Sequence, residues 1–295
     1  MMLRRIPEPL EAANQMVQGP NGWVHVTDRP GYGPPVLLMH GFPDDSRIYD
    51  RLVQLLAPRR VVALDWLGYG RSERATPHPW DITDHQRTLR AVLDSLELEH
   101  VVLVGHDASG PDAIDYALSE PSRIAHLILR NTFYEHAPML RLPEMIRLLA
   151  DQQLAPLAEA MINDPNQRRW LLGHTGKQFR LDPANQSGVA ATSIVPQFFG
   201  EVGNADSLTA IRGWTGALFP ALDLQDNNIA AKRLEALEVP VTLVFGARDD
   251  YLSPYLARHL AALFTNANVR LVEDASHWPQ WDQPEIVADV IKEAR

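Results

Sequence analysis

Seven short apolar runs bounded by turn residues constrain the fold more than any other feature of the chain. They cover residues 23–26, 36–39, 61–65, 101–104, 124–129, 241–245 and 269–272. The middle runs are almost continuously apolar, as strands covered on both faces are. Helical stretches fall between them, among them 83–96, 110–118, 254–263 and 284–293. This alternation predicts an α/β protein with a mainly parallel sheet and helices on both faces. A chain of 295 residues, 45% hydrophobic, is long enough to bury a full core.

The alternation breaks after Arg130. Residues 133–235 read as helix punctuated by Pro, Asn and Gly, and the strand pattern restarts at Val239-Pro240-Val241-Thr242. The expected organisation is therefore a core in two parts, 1–132 and 236–295, with a helical cap at 133–235. Ligands of α/β sheets bind outside the carboxyl ends of the strands, where such an insertion would roof the site. An independent second domain is the alternative.

Four loops carry chemistry. Gly105-His106-Asp107-Ala108-Ser109-Gly110 follows the run at 101–104 and precedes a helix. Small residues around position 107 let a strand-to-helix turn tighten and project its apex. The apex here is an aspartate, an anion that needs no base to activate it; a plain helix N-cap is the alternative role. His40-Gly41-Phe42-Pro43 follows another run. It can turn the Phe42 N–H toward residue 107, to form an oxyanion hole with the Ala108 N–H. Asp249 and His277 each follow a later run, in the order that orients a base. Each alone reads as a turn or surface residue. The series Asp107, Asp249, His277 gives nucleophile, acid and base, each at a strand's carboxyl end.

On these residues the sequence resembles the α/β-hydrolase fold superfamily. Within it the likeness is to the branch with an aspartate nucleophile, which holds soluble epoxide hydrolases and haloalkane or haloacetate dehalogenases. The resemblance is carried by residues 40–43, Asp65-Trp66-Leu67-Gly68-Tyr69-Gly70-Arg71-Ser72, Gly105-His106-Asp107, Gly246 with Asp249, and Ser276-His277-Trp278-Pro279-Gln280-Trp281. It implies a mostly parallel eight-stranded sheet with an inserted helical cap. It also implies a covalent alkyl ester on Asp107. The 65–72 run is expected to shape a loop beside the site, without a catalytic role.

The cap departs from the family's patterns. Epoxide hydrolases of this kind use two cap tyrosines, yet no tyrosine lies between Tyr134 and Tyr251. Haloalkane dehalogenases usually place Trp after the nucleophile, where this chain has Ala108. The arginines that bind a haloacid carboxylate are missing from 108–111. A leaving anion in a dry site still needs a donor. The cap offers Trp170, His174, Trp214 and Thr215, whose N–H or O–H groups can serve. Ordinary packing is the alternative for each, and Tyr134 and Tyr251 are outside candidates.

Composition narrows the remaining classes. A formal net charge of −10 argues against nucleic acid or an anionic membrane as partner. The chain has no cysteine, which excludes disulfides and thiol catalysis. No apolar run approaches the roughly 20 residues that span a bilayer. The N-terminus lacks a secretory apolar segment, so a cytoplasmic location is expected. The 11 histidines show no metal-ligand spacing, and neither metal nor other cofactor is implied. Ser109 stands two residues past the apex, which argues against a serine esterase. The expected substrate is a small apolar electrophile, with no oligomeric state assigned. Sequence alone ranks an epoxide hydrolase first and a carbon–halogen hydrolase second. A catalytically silent binder comes third, since it would have no use for Asp249 and His277.

Overall fold

The structure is a computed structural model that describes residues 12–74, 83–178 and 205–294. Eight strands form one sheet: β1 (Ala13–Gln18), β2 (Trp23–Arg29), β3 (Val36–Met39), β4 (Val61–Leu64), β5 (Val101–Asp107), β6 (Ile124–Thr132), β7 (Val241–Gly246) and β8 (Ala267–Val272). Their order is β1-β2-β4-β3-β5-β6-β7-β8. β2 runs antiparallel to β1 and β4, and the remaining pairs are parallel. All seven expected strands are present. β1 is the addition. Its sequence, ANQMVQ, is polar and mostly exposed, and it is bound to the sheet edge by pairing with β2 rather than by an apolar face.

The strand period of two sorts the core into two layers. Leu37, Met39, Val62, Leu64 and Leu103 face helices α2 (Asp84–Ser95) and α3 (Ser109–Ser119) through Leu89, Val92 and Ile114. Val36, Leu38, Val61, Ala63, Val102 and Val104 face the other way. They meet Leu52 of the short α1 (Asp50–Val53) and Val287 and Ile291 of the C-terminal helix (Pro284–Glu293). Covered on both faces, β3 and β4 have no use for polar residues, which is why their sequences are unbroken apolar runs.

Between β6 and β7 the chain runs through α4 (Glu144–Ala150), α5 (Ala155–Asn163), α6 (Pro165–Gln178) and α7 (Ala205–Ala230), the last with Pro220 inside it. Helices α8 (Pro254–Ala262), α9 (Pro279–Asp282) and α10 (Pro284–Glu293) complete the core. Among the described residues no helix is long and apolar enough to cross a membrane.

Candidate active site

Strand β5 ends at Asp107, whose φ of +50° lies in the left-handed region that non-glycine residues enter only under constraint. The constraints are visible. A β-carbon on Gly110 would overlap Thr132, so α3 lies directly against the end of β6. Thr132 Oγ1 donates to the Asp107 carbonyl at 2.5 Å. Ser109 Oγ accepts from the His106 N–H at 3.0 Å and donates toward the Met39 carbonyl at 2.9 Å. That buried hydroxyl ties β5 to β3. The Asp107 side chain is left standing at the head of α3, where the helix N-terminus favours an anion.

The 40–43 loop is fixed against it. His40 is buried; its Nδ1 lies 2.8 Å from the Gly41 carbonyl and its Nε2 accepts from the Trp66 N–H at 3.0 Å. The Trp66 indole returns a bond to the His40 carbonyl at 3.0 Å. Any β-carbon on Gly41 would collide with the Asp107 side chain, so only glycine allows this approach. In consequence the Phe42 N–H donates to Asp107 Oδ2 at 2.9 Å. The Ala108 N–H donates to the same carboxylate.

His277 is carried by the loop after β8. Its Nδ1 lies 2.7 Å from Asp249 Oδ2, and its Nε2 lies 3.9 Å from Asp107 Oδ1. Asp249, just past β7, is itself held. Oδ1 accepts from the Tyr251 and Leu252 N–H groups at 2.9 and 3.1 Å, and Oδ2 from Asn131 Nδ2 at 2.8 Å. Asn131 sits at a left-handed position, φ +31°, near the end of β6, and its Oδ1 accepts from the Gly246 N–H at 2.9 Å. One amide thus braces both the acid and the strand that bears it.

Burial alone would lower the His277 pKa. The charge and hydrogen bond of Asp249, with the charges of Asp107 and Asp44 added, raise it to about 9. Burial pushes Asp107 up, more than the His277 and His106 charges and the Ala108 bond pull it down. Burial also acts upward on Asp249, but His277, Asn131 and the Tyr251 N–H outweigh it and the net shift is down. The upward shift of His277 and the downward shift of Asp249 both favour an ion pair between the two.

A cavity of about 150 Å³ opens above Asp107, a size at which buried apolar cavities take up molecules such as benzene. Phe42, Asp107 and His277 line it from the core, Met145 and Ile146 from α4, and Trp214 and Leu218 from α7. Most of its wall is apolar. Of the four donors expected from sequence, Trp214 and Thr215 reach this wall. Among the described residues buried Trp214 Nε1 has no hydrogen-bond partner, and its ring stacks on Phe42 at 5.8 Å. Thr215 Oγ1 donates to the Ile211 carbonyl of its own helix at 2.8 Å, so its O–H is occupied. Trp170 is 61% exposed and stacks on His174 at 5.3 Å; among the described residues neither lines the cavity. Tyr134 is committed to Asp115 Oδ1 at 2.6 Å, whereas Tyr251 does line the cavity.

The sequence reading missed several residues. His85 and Asp112 line the same cavity and pair at 2.8 Å. Asn131 looks like an ordinary strand residue, its one signal being an amide near the end of a buried strand. Asp44, beside the His40–Pro43 motif, is buried behind His277. The only group with metal-ligand spacing among the described residues is His136, Asp223 and Asp226, which lies at the surface. Asp65, in the 65–72 run, accepts from the Ser46 and Arg71 N–H groups and pairs with His25. Burial acts upward on it, but these bonds win and its pKa falls to about 2. Its work is to hold loops together.

Known proteins share this fold. Haloalkane dehalogenase 2 of Mycobacterium tuberculosis is 27% identical over 281 residues, 92% of this chain and 91% of its own length. The solved 2-hydroxy-6-oxo-6-phenylhexa-2,4-dienoate hydrolase of a Rhodococcus strain superposes with a TM-score of 0.77 at 19% identity, covering 96% of this chain and 98% of its own. A haloalkane dehalogenase from Agrobacterium tumefaciens C58 gives 0.70 at 18% identity, covering 96% and 95%. At such identities these two structures speak for the fold alone. The family model described as alpha/beta hydrolase fold matches residues 34–284, from β3 to the start of the last helix, and the chain belongs to that family.

Proposed function

We propose that this chain is a cofactor-independent hydrolase that forms an alkyl ester on Asp107 and hydrolyses it with water activated by His277. The observation that carries the reading is the arrangement around one carboxylate. Asp107 Oδ2 accepts from the Phe42 N–H, while Oδ1 faces His277 and the apolar cavity. Oδ1 is then the attacking atom. Oδ2 becomes the ester carbonyl and already lies where an oxyanion is stabilised by the N–H groups of Phe42 and Ala108.

The charge balance makes the two steps sequential. In the resting site Asp107 helps raise the His277 pKa. Esterification removes that charge, so His277 gives up its proton more readily and becomes the base that the second step needs. Asp249 holds the imidazole in place through Nδ1. Residues 133–235 act as the cap, since α4 and α7 supply the far walls of the cavity. The substrate is a small apolar electrophile.

For the leaving group, halide moves ahead of the epoxide oxygen. The buried Trp214 N–H is a donor that stabilises an anion without surrendering its proton, which is what a departing halide requires. The haloalkane dehalogenase relative supports the same choice. The epoxide reading keeps one specific support: the His85–Asp112 pair in the cavity wall is a group able to protonate an alkoxide.

His277→Gln tests the mechanism. Ester formation does not need the base and hydrolysis does, so the variant exposed to substrate accumulates a covalent adduct on intact mass. An unmodified variant after exposure to substrates that the wild type turns over would overturn it. Halide release from haloalkanes, set beside diol release from epoxides with the wild type, decides the leaving group. Diol without halide would put the epoxide oxygen first.

A further inference from the structure

We propose that Asp44 is a second buried carboxylate behind His277, supporting the imidazolium that forms while the Asp107 ester is hydrolysed. This rests on the ester mechanism above and names a positioning residue for its second step.

Asp44 follows the Phe42-Pro43 turn and is 1% exposed. It reaches the His277 loop by two routes. Its Oδ2 accepts from the indole of Trp278, next in sequence to His277, at 3.0 Å. The same oxygen lies 3.5 Å from His106 Nδ1, and His106 Nε2 lies 2.8 Å from the His277 carbonyl. A carbonyl only accepts, so Nε2 carries the hydrogen. Burial, with the His277 and Arg130 charges, holds the His106 pKa well below its ordinary value. His106 is therefore neutral, and its Nδ1 faces Asp44 as a bare acceptor. Among the described residues Asp44 Oδ1 has no hydrogen-bond partner.

The charged and titratable groups around Asp44 come from every side. His277 faces it from the loop after β8 and His106 from β5; His40 and Asp45 stand on its own segment. Tyr49 and Asp107 also feel its charge. From β6 comes Arg130, fully buried, its Nη2–H bonded to Tyr49 Oη at 2.7 Å and its charge acting on Asp44. Burial raises the Asp44 pKa to about 6 despite the Trp278 bond and the histidine charges. As a structural anchor this carboxylate is badly served: one neutral donor bonds it, and its charge is costly. An asparagine would keep the indole bond through its amide oxygen without that cost. What the carboxylate offers beyond an amide is charge.

The second step needs charge. Once Asp107 is esterified, its own negative charge is gone. Water attacks the ester carbonyl carbon and its proton passes to His277 Nε2. The acyl–oxygen bond to the product then breaks, and the product oxygen takes that proton. Between those events His277 is an imidazolium, and Asp249 and Asp44 are the anions that stabilise it.

The test is Asp44→Asn, compared with Trp278→Phe. In Asp44→Asn the amide oxygen still accepts from the indole, so the bond to Trp278 is kept and the charge is lost. NMR titration of His277 in the resting enzyme should move down from about 9. Ester formation should keep its rate, hydrolysis should slow about tenfold, and the acid limb of its pH profile should move to lower pH. The melting temperature at pH 7 should rise. Trp278→Phe removes the indole bond but keeps the carboxylate; followed above about pH 8, beyond the Asp44 pKa of about 6, His277 should titrate as in the wild type. An unchanged His277 titration in Asp44→Asn would overturn the proposal. So would failure of Asp44→Asn to fold at pH 7, because the carboxylate would then serve stability. The titration needs no substrate. Its outcome is thus separate from the ester mechanism, whose own failure would show as a missing adduct on His277→Gln.

Discussion

At the scale of single residues, the site divides into groups that announce themselves and groups that do not. Asp107, Asp249 and His277 were legible because each closely follows an apolar run and the three stand in a chemically ordered series. Phe42 and Ala108 were legible through their neighbours, since their contribution is a backbone N–H. Asn131, His85, Asp112 and Asp44 carry no such mark, because each acquires its partner only when distant elements meet. Asn131 spans Asp249 and Gly246. Asn131→Ala should leave one carboxylate lone pair unsatisfied and the acid less firmly placed. A loss of about tenfold in kcat, with KM little changed, is expected from steady-state kinetics. Asp107→Asn should abolish adduct formation altogether, because a neutral amide is no nucleophile in this setting. Intact mass after exposure to substrate checks this.

At the scale of elements, close approach decides more than propensity. β3, β5, β7 and β8 each deliver one loop to the site, and the sequence showed all four. The Gly41 position shows why spacing alone could not show the tolerance of that assembly. The loop touches the Asp107 side chain with no room for a β-carbon. Gly41→Ala should push the Phe42 N–H away from Oδ2. Ester hydrolysis should fall by about a hundredfold, the scale set by loss of one oxyanion-hole donor, while far-UV circular dichroism stays unchanged. Two elements were harder to read. β1 escaped notice because an edge strand paired on one side needs no apolar face. The helices between β6 and β7 showed as helices, but which faces turn inward depends on packing: Trp214 lines the cavity and Trp170 lies at the surface, though both are tryptophans on those helices.

At the scale of the whole molecule, the shifted groups predict how stability depends on pH. Asp65, held at about 2, has a depressed folded-state pKa. Its contribution is present above the ordinary carboxylate range and is lost as pH falls toward 2. Asp44 and Asp115, each raised to about 6 by burial, have the opposite sign, and stability declines as pH rises from about 4 to about 6. His277, raised to about 9, gives stability that is complete below its ordinary pKa and lost as pH rises through 9. Thermal melts should therefore peak at about pH 4, decline toward about pH 6 and fall further as pH rises toward 9. A melting temperature highest at pH 8 would contradict these assignments. The fold was legible in outline because an α/β alternation admits few topologies. The leaving group was not, because it depends on how side chains from the helices between β6 and β7 converge over one carboxylate.

The most direct test of the ester mechanism is a single turnover in water enriched in heavy oxygen, with enzyme in excess over a haloalkane that it hydrolyses. Attack of water on the ester carbonyl places the heavy atom in the Asp107 carboxylate and leaves the alcohol unlabelled, readable by mass spectrometry of the peptide containing residue 107. Label in the alcohol and none in that peptide would mean that water attacks the substrate directly, and Asp107 would not be the nucleophile.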